Sequence, residues 1–488
     1  MTINITTNVQ PRYRLLTEEQ IQEIHRASLE LLETVGVRFP HDEAVRILRE
    51  AGCRIKDGNL ALFPNQLIEE CLRSIPRGVT IYDRNGNEAM RLEGRNNHFG
   101  MGTDLIRTVD LETGLARPSV LQDVARAARV ADACREIDFI ASYALPGDVP
   151  ANSMYFQCVK ALIENSAKPI FFTAAGKEDL AFIIEMAAAV AGGEPALREK
   201  PFIIQYSQQT APLSHSKGAI SKVLLCAEKG IPICYTSTGL LGASAPVTLA
   251  AGIVQANAED LSCIVLHQLK AKGAPIISGF AVVGLDMRTM SIAYGAPEWR
   301  LTNSAFADLY HYYGIPMWST VGSDAHCLDE QAGMEHAFGT LLAALDGANL
   351  IHDVGYLGQG LLGDPAAIVM CDEIISYVKR VLRGFDLDPE MMALDLIRSV
   401  GPGGNYLSQP HTARHFRREL WQPRHLNRDN PETWESKGGL RYGERVRRKT
   451  REILATHRPE PLPEEIAHKL NDIAARAEAE LAALQFTA

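Results

Sequence analysis

The chain has 488 residues, 46% hydrophobic and 22% charged, with 38 glycines and 25 prolines, a composition that excludes disordered, collagen-like and coiled-coil classes. Its length fits one large barrel-type domain with additions, or two domains. The formal net charge of −10 argues against a nucleic-acid binder, which needs a basic field to displace counterions from phosphate.

Thr17 opens a T-x-x-Q capping box that closes on Gln20, and Ile21, Ile24, Leu29, Leu31 and Leu32 recur near helical spacing. This predicts a helix over residues 15–35, stopped by Gly36. Further helices are predicted over 41–51, ending at Gly52, and over 64–75, beginning at Pro64, so residues 1–97 read as an N-terminal helical cap. The N-terminus lacks the basic-then-apolar pattern of a secretion signal, and no stretch runs for 18 apolar residues. The expected compartment is the cytoplasm, with no membrane association, where the nine dispersed cysteines would be mostly buried thiols.

From residue 98 onward, short β-rich runs alternate with segments of helical composition. The runs are 98–105, 137–145, 168–176, 201–209, 230–239, 273–284, 314–323 and 349–358, and three of them open on Gly-x-Pro. Their start-to-start spacings of 39, 31, 33, 29, 43, 41 and 35 residues are the length of a strand-plus-helix unit. Eight successive parallel units with both faces covered are most simply closed into a (β/α)8 TIM barrel spanning 98–385, an α/β fold. An open doubly wound sheet is the alternative. The last barrel helix is expected over 364–383. Residues 386–488 are expected to form a C-terminal extension wrapping the barrel, polar and irregular over 400–440 and ending in a docked helix over 463–485 with Ile466, Leu470, Ile473 and Ala477 on one stripe.

In such a barrel, function sits at the C-terminal mouth. The strand ends carry aromatic residues: Phe99, Tyr143, Phe172, Tyr206, Tyr235, Phe280, Trp318 and Tyr356. Individually each is expected in the core; together their π faces make a box for a quaternary ammonium cation. Charged or titratable residues near the mouth are Asp104, Asp286, Arg288, Asp324, His326, His352 and Asp353. Arg300 and His336, each beginning a helix, are the candidates to clamp a substrate carboxylate. The residues D-A-H-C at 324–327 lack a second His/Cys cluster at ligand spacing, so no metal site is expected. The glycine-rich segments 239–246 and 355–363 lack the lysine of a phosphate loop and the context of a dinucleotide fold.

Several motifs resemble those of the trimethylamine methyltransferase family. They are L-x-x-E-Q-I-x-x-I-H-x-x-S-L-E-L-L-E-x-x-G-V (16–37), A-P-E-W-R-x-x-N (296–303), Y-Y-G-I-P (312–316), S-D-A-H-x-x-D-E-Q-A-G-M-E (323–335), G-A-N-L-I-H-D-V-G-Y-L (347–357), C-D-E-I-I (371–375), G-P-G-G-N-Y-L-x-x-x-H-T-x-x-H-F-R (401–417) and W-x-P-x-x-x-N-R (421–428). Their order and completeness carry the resemblance along nearly the whole chain, and it implies the barrel. Methylamine-specific members carry pyrrolysine near the mouth. This chain shows only standard residues, with Gly358-Gln359-Gly360-Leu361-Leu362 after the eighth run. The resemblance therefore implies a member without pyrrolysine that is similar to glycine betaine methyltransferases. Such an enzyme passes a methyl group from a quaternary amine to cob(I)alamin, the corrinoid being carried by a partner protein. Another betaine or carnitine as substrate, a non-catalytic betaine-binding barrel, a zinc-dependent corrinoid methyltransferase and an isomerase are the alternatives. A homo-oligomer is compatible with all of these.

Overall fold

Each of the eight β-rich runs contains one strand of a parallel array in the computed structural model, which describes residues 8–237, 239–279 and 282–485. The strands are β1 (His98–Met101), β2 (Ile140–Ala141), β3 (Ile170–Phe172), β4 (Ile203–Gln208), β5 (Ile233–Thr236), β6 (Ile276–Ser278), β7 (Trp318–Thr320) and β8 (Leu350–Val354). β2 to β6 pair consecutively in parallel, as do β7, β8 and β1. Two single-residue parallel bridges, Gly100 with Phe139 and Ser278 with Met317, join these arcs at both seams. The ring of eight is the barrel expected from the spacings.

A helix follows every strand: α1 (Leu121–Ala133), α2 (Met154–Asn165), α3 (Lys177–Ala191), α4 (Lys217–Lys229), α5 (Leu249–Lys270), α6 (Pro297–Tyr313), α7 (Glu330–Asp346) and α8 (Pro365–Arg383). The Gly-x-Pro openings work as their chemistry requires. Gly230 and Gly314 take positive φ angles of 71° and 70°, ending α4 and α6; the proline two residues later then starts the next strand without needing to donate to the ladder. By length and composition alone α5 is long and apolar enough to cross a membrane. Its residues are instead buried, between the barrel and the N-terminal segment, where Ser28 Oγ donates to the Val254 carbonyl and Cys71 packs against Val265.

The opening helix runs Glu18–Thr34, and its predicted capping box between Thr17 and Gln20 is present. The next two helices are Asp42–Glu50 and Asn65–Ser74. The N-terminal segment is not all helical, however. Val37–Arg38, Arg54–Lys56 and Leu60–Leu62 form a small antiparallel sheet, and Gly78–Tyr82 pairs with Glu88–Glu93 as a hairpin. Val79, Ile81, Met90 and Leu92 alternate inward from this hairpin and are buried. Its backbone bonds to the strand-entry end of the barrel, through Tyr82 N to Pro201 O (2.9 Å) and Arg84 N to Ala167 O (2.8 Å). The hairpin thus closes the end opposite the mouth.

At the mouth, the loops after β1 and β8 fold into a four-stranded sheet of Arg107–Val109, Ala116–Pro118, Tyr356–Leu357 and Leu362–Gly363. Those after β5 and β6 give a second sheet of Leu240–Leu241, Val283–Asp286 and Ser291–Ala293. Beyond α8, helices Tyr442–Thr456 and Glu464–Gln485 pack back on the barrel, the latter burying Leu470, Ile473 and Ala477.

Candidate active site

Paired residues of parallel strands face the same side, and side chains alternate along each strand. Phe171 pairs with Ile204, two residues before Tyr206, and Thr320 pairs with His352, two residues after Trp318 on its own strand. These four aromatic side chains turn into the barrel. Ring centroids lie 5.0 Å apart for Phe171 and Tyr206, 4.7 Å for Phe171 and His352, and 5.4 Å for Trp318 and His352. Tyr206 stacks on Trp318 at 5.7 Å, with planes 15° apart. Tyr356, just past β8, meets His352 edge-on at 6.2 Å. Tyr206, Trp318, His352 and Tyr356 were all expected at the mouth. Phe171 takes the place expected of Phe172.

The remaining aromatic candidates go elsewhere. Phe172 faces the opposite side of β3 from Phe171, toward the helices. Phe99 lies under Lys379 of α8, whose Nζ is 5.6 Å from the ring. The Tyr235 hydroxyl pairs with His215 Nδ1 at 2.6 Å, and His215 Nε2 with Ser262 Oγ of α5 at 2.9 Å, so Tyr235 also points outward. Tyr143 sits beneath the four-stranded mouth sheet, against Gly363. Phe280 lies outside the described residues.

Two carboxylates flank the inner rings. Asp104, just past β1, accepts from Thr173 Oγ1 at 2.7 Å. Burial pushes its carboxyl above the ordinary value, against the pull of the Thr173 hydroxyl, His352 and Lys222. Asp353, in β8, accepts from the Tyr294 hydroxyl at 2.9 Å and from the Thr320 hydroxyl, and its Oδ1 lies 2.7 Å from His352 Nδ1. The backbone is strained at both, with φ of 66° at Asp104 and 67° at Asp353, and at Tyr143 with 53°. Non-glycine residues held at positive φ on three adjacent strands, all at one end of the barrel, mark a site whose geometry the surrounding fold imposes. Gly102 is required between them, since a Cβ there would lie 2.1 Å from the Tyr356 ring and 2.6 Å from Asp353 Oδ1.

Of the two residues expected to clamp a carboxylate, both are buried, and Arg300 gives its N–H groups to backbone carbonyls. Arg300 is 6% exposed and donates to the carbonyls of Thr320 (2.8 Å), Tyr294 (3.1 Å) and Gly322 (3.2 Å). It braces the end of β7 against the loop carrying Tyr294, and burial brings its pKa down to about 10. His336 is fully buried, and burial followed by the neighbouring Arg300 charge pulls its pKa down to about 4, so it is neutral at pH 7 and carries no charge to offer an anion. Asp324 accepts from the backbone N–H groups of Tyr294 (2.8 Å) and Gly295 (2.9 Å), stapling the same loop. Asp286 and Arg288 pair with each other at 3.0 Å on an exposed turn. Among the described residues, no group of three or more His, Cys, Asp or Glu side chains is placed to hold a metal ion.

Sequence reasoning missed Phe171, Thr173, Tyr294 and Thr320. The run Ile170-Phe171-Phe172 offers two rings, and only the strand's register shows which one faces inward. Tyr294 lies in a loop, although it stands two residues before the A-P-E-W-R motif.

The chain matches the trimethylamine methyltransferase (MTTB) family over residues 1–482. It is 33% identical over 469 residues to a trimethylamine methyltransferase of Desulfitobacterium hafniense strain DSM 10664 / DCB-2, covering 95% of this chain and 94% of that protein. It is 32% identical over 465 residues to a glycine betaine methyltransferase of D. hafniense strain Y51, covering 94% and 96%. Among solved structures, the monomethylamine methyltransferase of Methanosarcina barkeri superposes with a TM-score of 0.54 at 11% identity, over 91% of this chain and 88% of that one, a likeness of fold.

Proposed function

The chain belongs to the trimethylamine methyltransferase family, and from that premise we propose that it transfers a methyl group from a quaternary ammonium substrate, glycine betaine first, to a corrinoid carried by a separate protein. The observation that carries this reading is the union of inward rings (Phe171, Tyr206, Trp318, His352) with two carboxylates, Asp104 and Asp353, at one end of the barrel. Ring faces attract a cation by about 2 kcal/mol when desolvated. The carboxylates add countercharge where the dielectric is low.

The chemistry asks little else of the protein. If a cobalt(I) acceptor attacked the N-methyl carbon, a Co–C bond would form as the C–N bond broke, the electron pair would stay on nitrogen and the tertiary amine would leave neutral, so no acid need protonate it. The residues' task is to hold one methyl group in line with the opening and to exclude water. No adduct-forming residue is required for this displacement. The positive charge on nitrogen falls in the transition state, so the rings and carboxylates must hold the cation without trapping it. With the Arg300 N–H groups taken by backbone carbonyls, the substrate's carboxylate is assigned to the solvent side of the mouth.

The test is a panel of glycine betaine, proline betaine, carnitine, γ-butyrobetaine and trimethylamine with chemically reduced cobalamin, recording methylcobalamin by absorbance. Methyl transfer from at least one quaternary amine is expected. Transfer from trimethylamine alone, or from none, overturns the reading.

A further inference from the structure

The loop that follows β3 is held at three successive residues by groups from three different elements. Thr173 donates its hydroxyl to Asp104, just past β1, at 2.7 Å. The Ala174 carbonyl accepts from Lys222 Nζ of α4 at 2.6 Å, and the Ala175 N–H donates to Asp179 Oδ2 of α3 at 2.9 Å. Asp104 belongs to the cation site, whereas Lys222 and Asp179 stand behind the strands, on the helices. A lysine on a barrel helix ordinarily extends its ammonium into water. Lys222 turns in to the loop instead and is only partly exposed.

Asp104 is a costly countercharge. Burial opposes its ionised form, and its φ of 66° persists only where the surroundings over-determine it. From α2 it is faced by Tyr155 and Cys158, both kept protonated by burial. Tyr356, just past β8, is likewise kept neutral, and His352 of β8 already has its Nδ1 2.7 Å from Asp353 Oδ1. Thr173 and the neighbouring Thr103 supply hydroxyls. Among these groups the cation left to answer Asp104 is Lys222. Burial lowers the Lys222 ammonium below the ordinary lysine value, and Asp104, Cys226 and Asp179 act to raise it. Asp179, brought up to about 6 by burial, is mostly ionised at neutral pH. With an ammonium bound, Asp104, Lys222, Asp179 and the substrate nitrogen sum to zero; without Lys222, one buried negative charge is left uncompensated.

We propose that Lys222 is a positioning residue for the cation site: it anchors the loop that lays the Thr173 hydroxyl on Asp104, and its ammonium lets that carboxylate stay ionised opposite the substrate nitrogen. The inference rests on the proposed recognition of a quaternary ammonium and extends it one layer outward. Lys222 does not touch the substrate. Its own charge is unfavourable to an ammonium, so its benefit reaches the substrate only through Asp104. Removing that charge makes Asp104 harder to ionise, and the acid-side loss of affinity then moves to higher pH. Once the pH is high enough to ionise Asp104 unaided, a chain without the Lys222 charge binds as tightly as the unaltered one, or more tightly.

The test is titration calorimetry of the full-length protein, over a pH series, with glycine betaine and with tetramethylammonium, which has no carboxylate. Lys222→Met keeps the aliphatic stem and removes the charge. On the acid side it should bind both ligands about tenfold more weakly, with the difference closing on the alkaline side. In an Asp104→Asn background the same substitution should have no pH-dependent effect. Lys222→Arg, which keeps the charge, should bring the profile back toward that of the unaltered chain. Thr173→Val removes only a hydroxyl, leaves α4 untouched and should move the profile in the same direction as Lys222→Met, so the inference is tested even where Lys222→Met does not fold. A uniform loss at every pH, the mark of a merely structural role, overturns the inference. So does a loss confined to glycine betaine, which would make Lys222 an anchor for the substrate carboxylate, and so does an unshifted profile in both variants. Failure of the unaltered chain to bind either ligand overturns the quaternary ammonium reading itself, and this inference with it.

Discussion

The inner rings, Phe171, Tyr206, Trp318 and His352, and the outer rings, Phe99, Phe172 and Tyr235, leave the same barrel on opposite sides and are almost equally buried. Accessibility does not separate them; their partners do. The inner rings meet one another, with carboxylates at their edge. The outer ones meet helices, Tyr235 through His215 and Phe99 through Lys379. In a parallel barrel a shift of one residue moves a ring from the ligand to the helix layer, so a role in binding is a property of register as much as of residue type.

The sharpest way to break this contrast is to remove the inner charges. The double variant Asp104→Asn/Asp353→Asn is expected to weaken quaternary ammonium binding by about two orders of magnitude, or about 2.7 kcal/mol, in titration calorimetry. Asp286→Asn, on its exposed turn, should leave affinity unchanged. Next in size, Tyr206→Leu should lower affinity about 10- to 30-fold through the lost π face. The outer counterpart Tyr235→Phe should leave affinity within twofold while removing about 1 kcal/mol of stability, because His215 loses its partner.

Acidity sharpens the contrast further. Burial raises the Asp104 carboxyl, so as the pH falls it takes up a proton earlier than an ordinary aspartate would. Substrate affinity should therefore decline on acidification at a higher pH than an ordinary aspartate would dictate, and Asp104→Asn should flatten that decline. A smaller effect, away from the site, belongs to Asp346 at the end of α7. Burial pushes its carboxyl from 3.8 to about 7. The folded chain thus holds a proton that the unfolded chain has released, and ionised Asp346 weakens the fold as pH rises through that window. The stabilisation from Asp346→Asn, read as a rise of about 2–4 °C in Tm, should grow from pH 4 to pH 7 and level off above.

Much of this was legible in the sequence, and for identifiable reasons. Run spacing located all eight strands, because the strand-helix repeat is set by element lengths that composition reveals. The capping box at Thr17 and the Gly-x-Pro boundaries hold because their chemistry is local. The hairpin at residues 78–93 was absorbed into a helical cap, since its role depends on strand ends, at Pro201 and Ala167, that are distant in the chain. At the site, Tyr206, Trp318, His352 and Tyr356 were reachable because each lies in or just past one of the eight runs. Phe171 was not, because facing depends on register. Arg300 was misassigned as a clamp because its acceptors are backbone carbonyls, which no side-chain pattern reports.

The central claim is that the inner rings and carboxylates recognise positive charge on nitrogen and not merely the shape of a trimethyl group. The most direct measurement compares, by titration calorimetry, glycine betaine with 3,3-dimethylbutanoate, in which carbon replaces the nitrogen and the charge is gone. Glycine betaine should bind at least tenfold more tightly, a difference of about 1.4 kcal/mol or more, and Tyr206→Leu should narrow the gap. Equal affinity for the two would contradict the account.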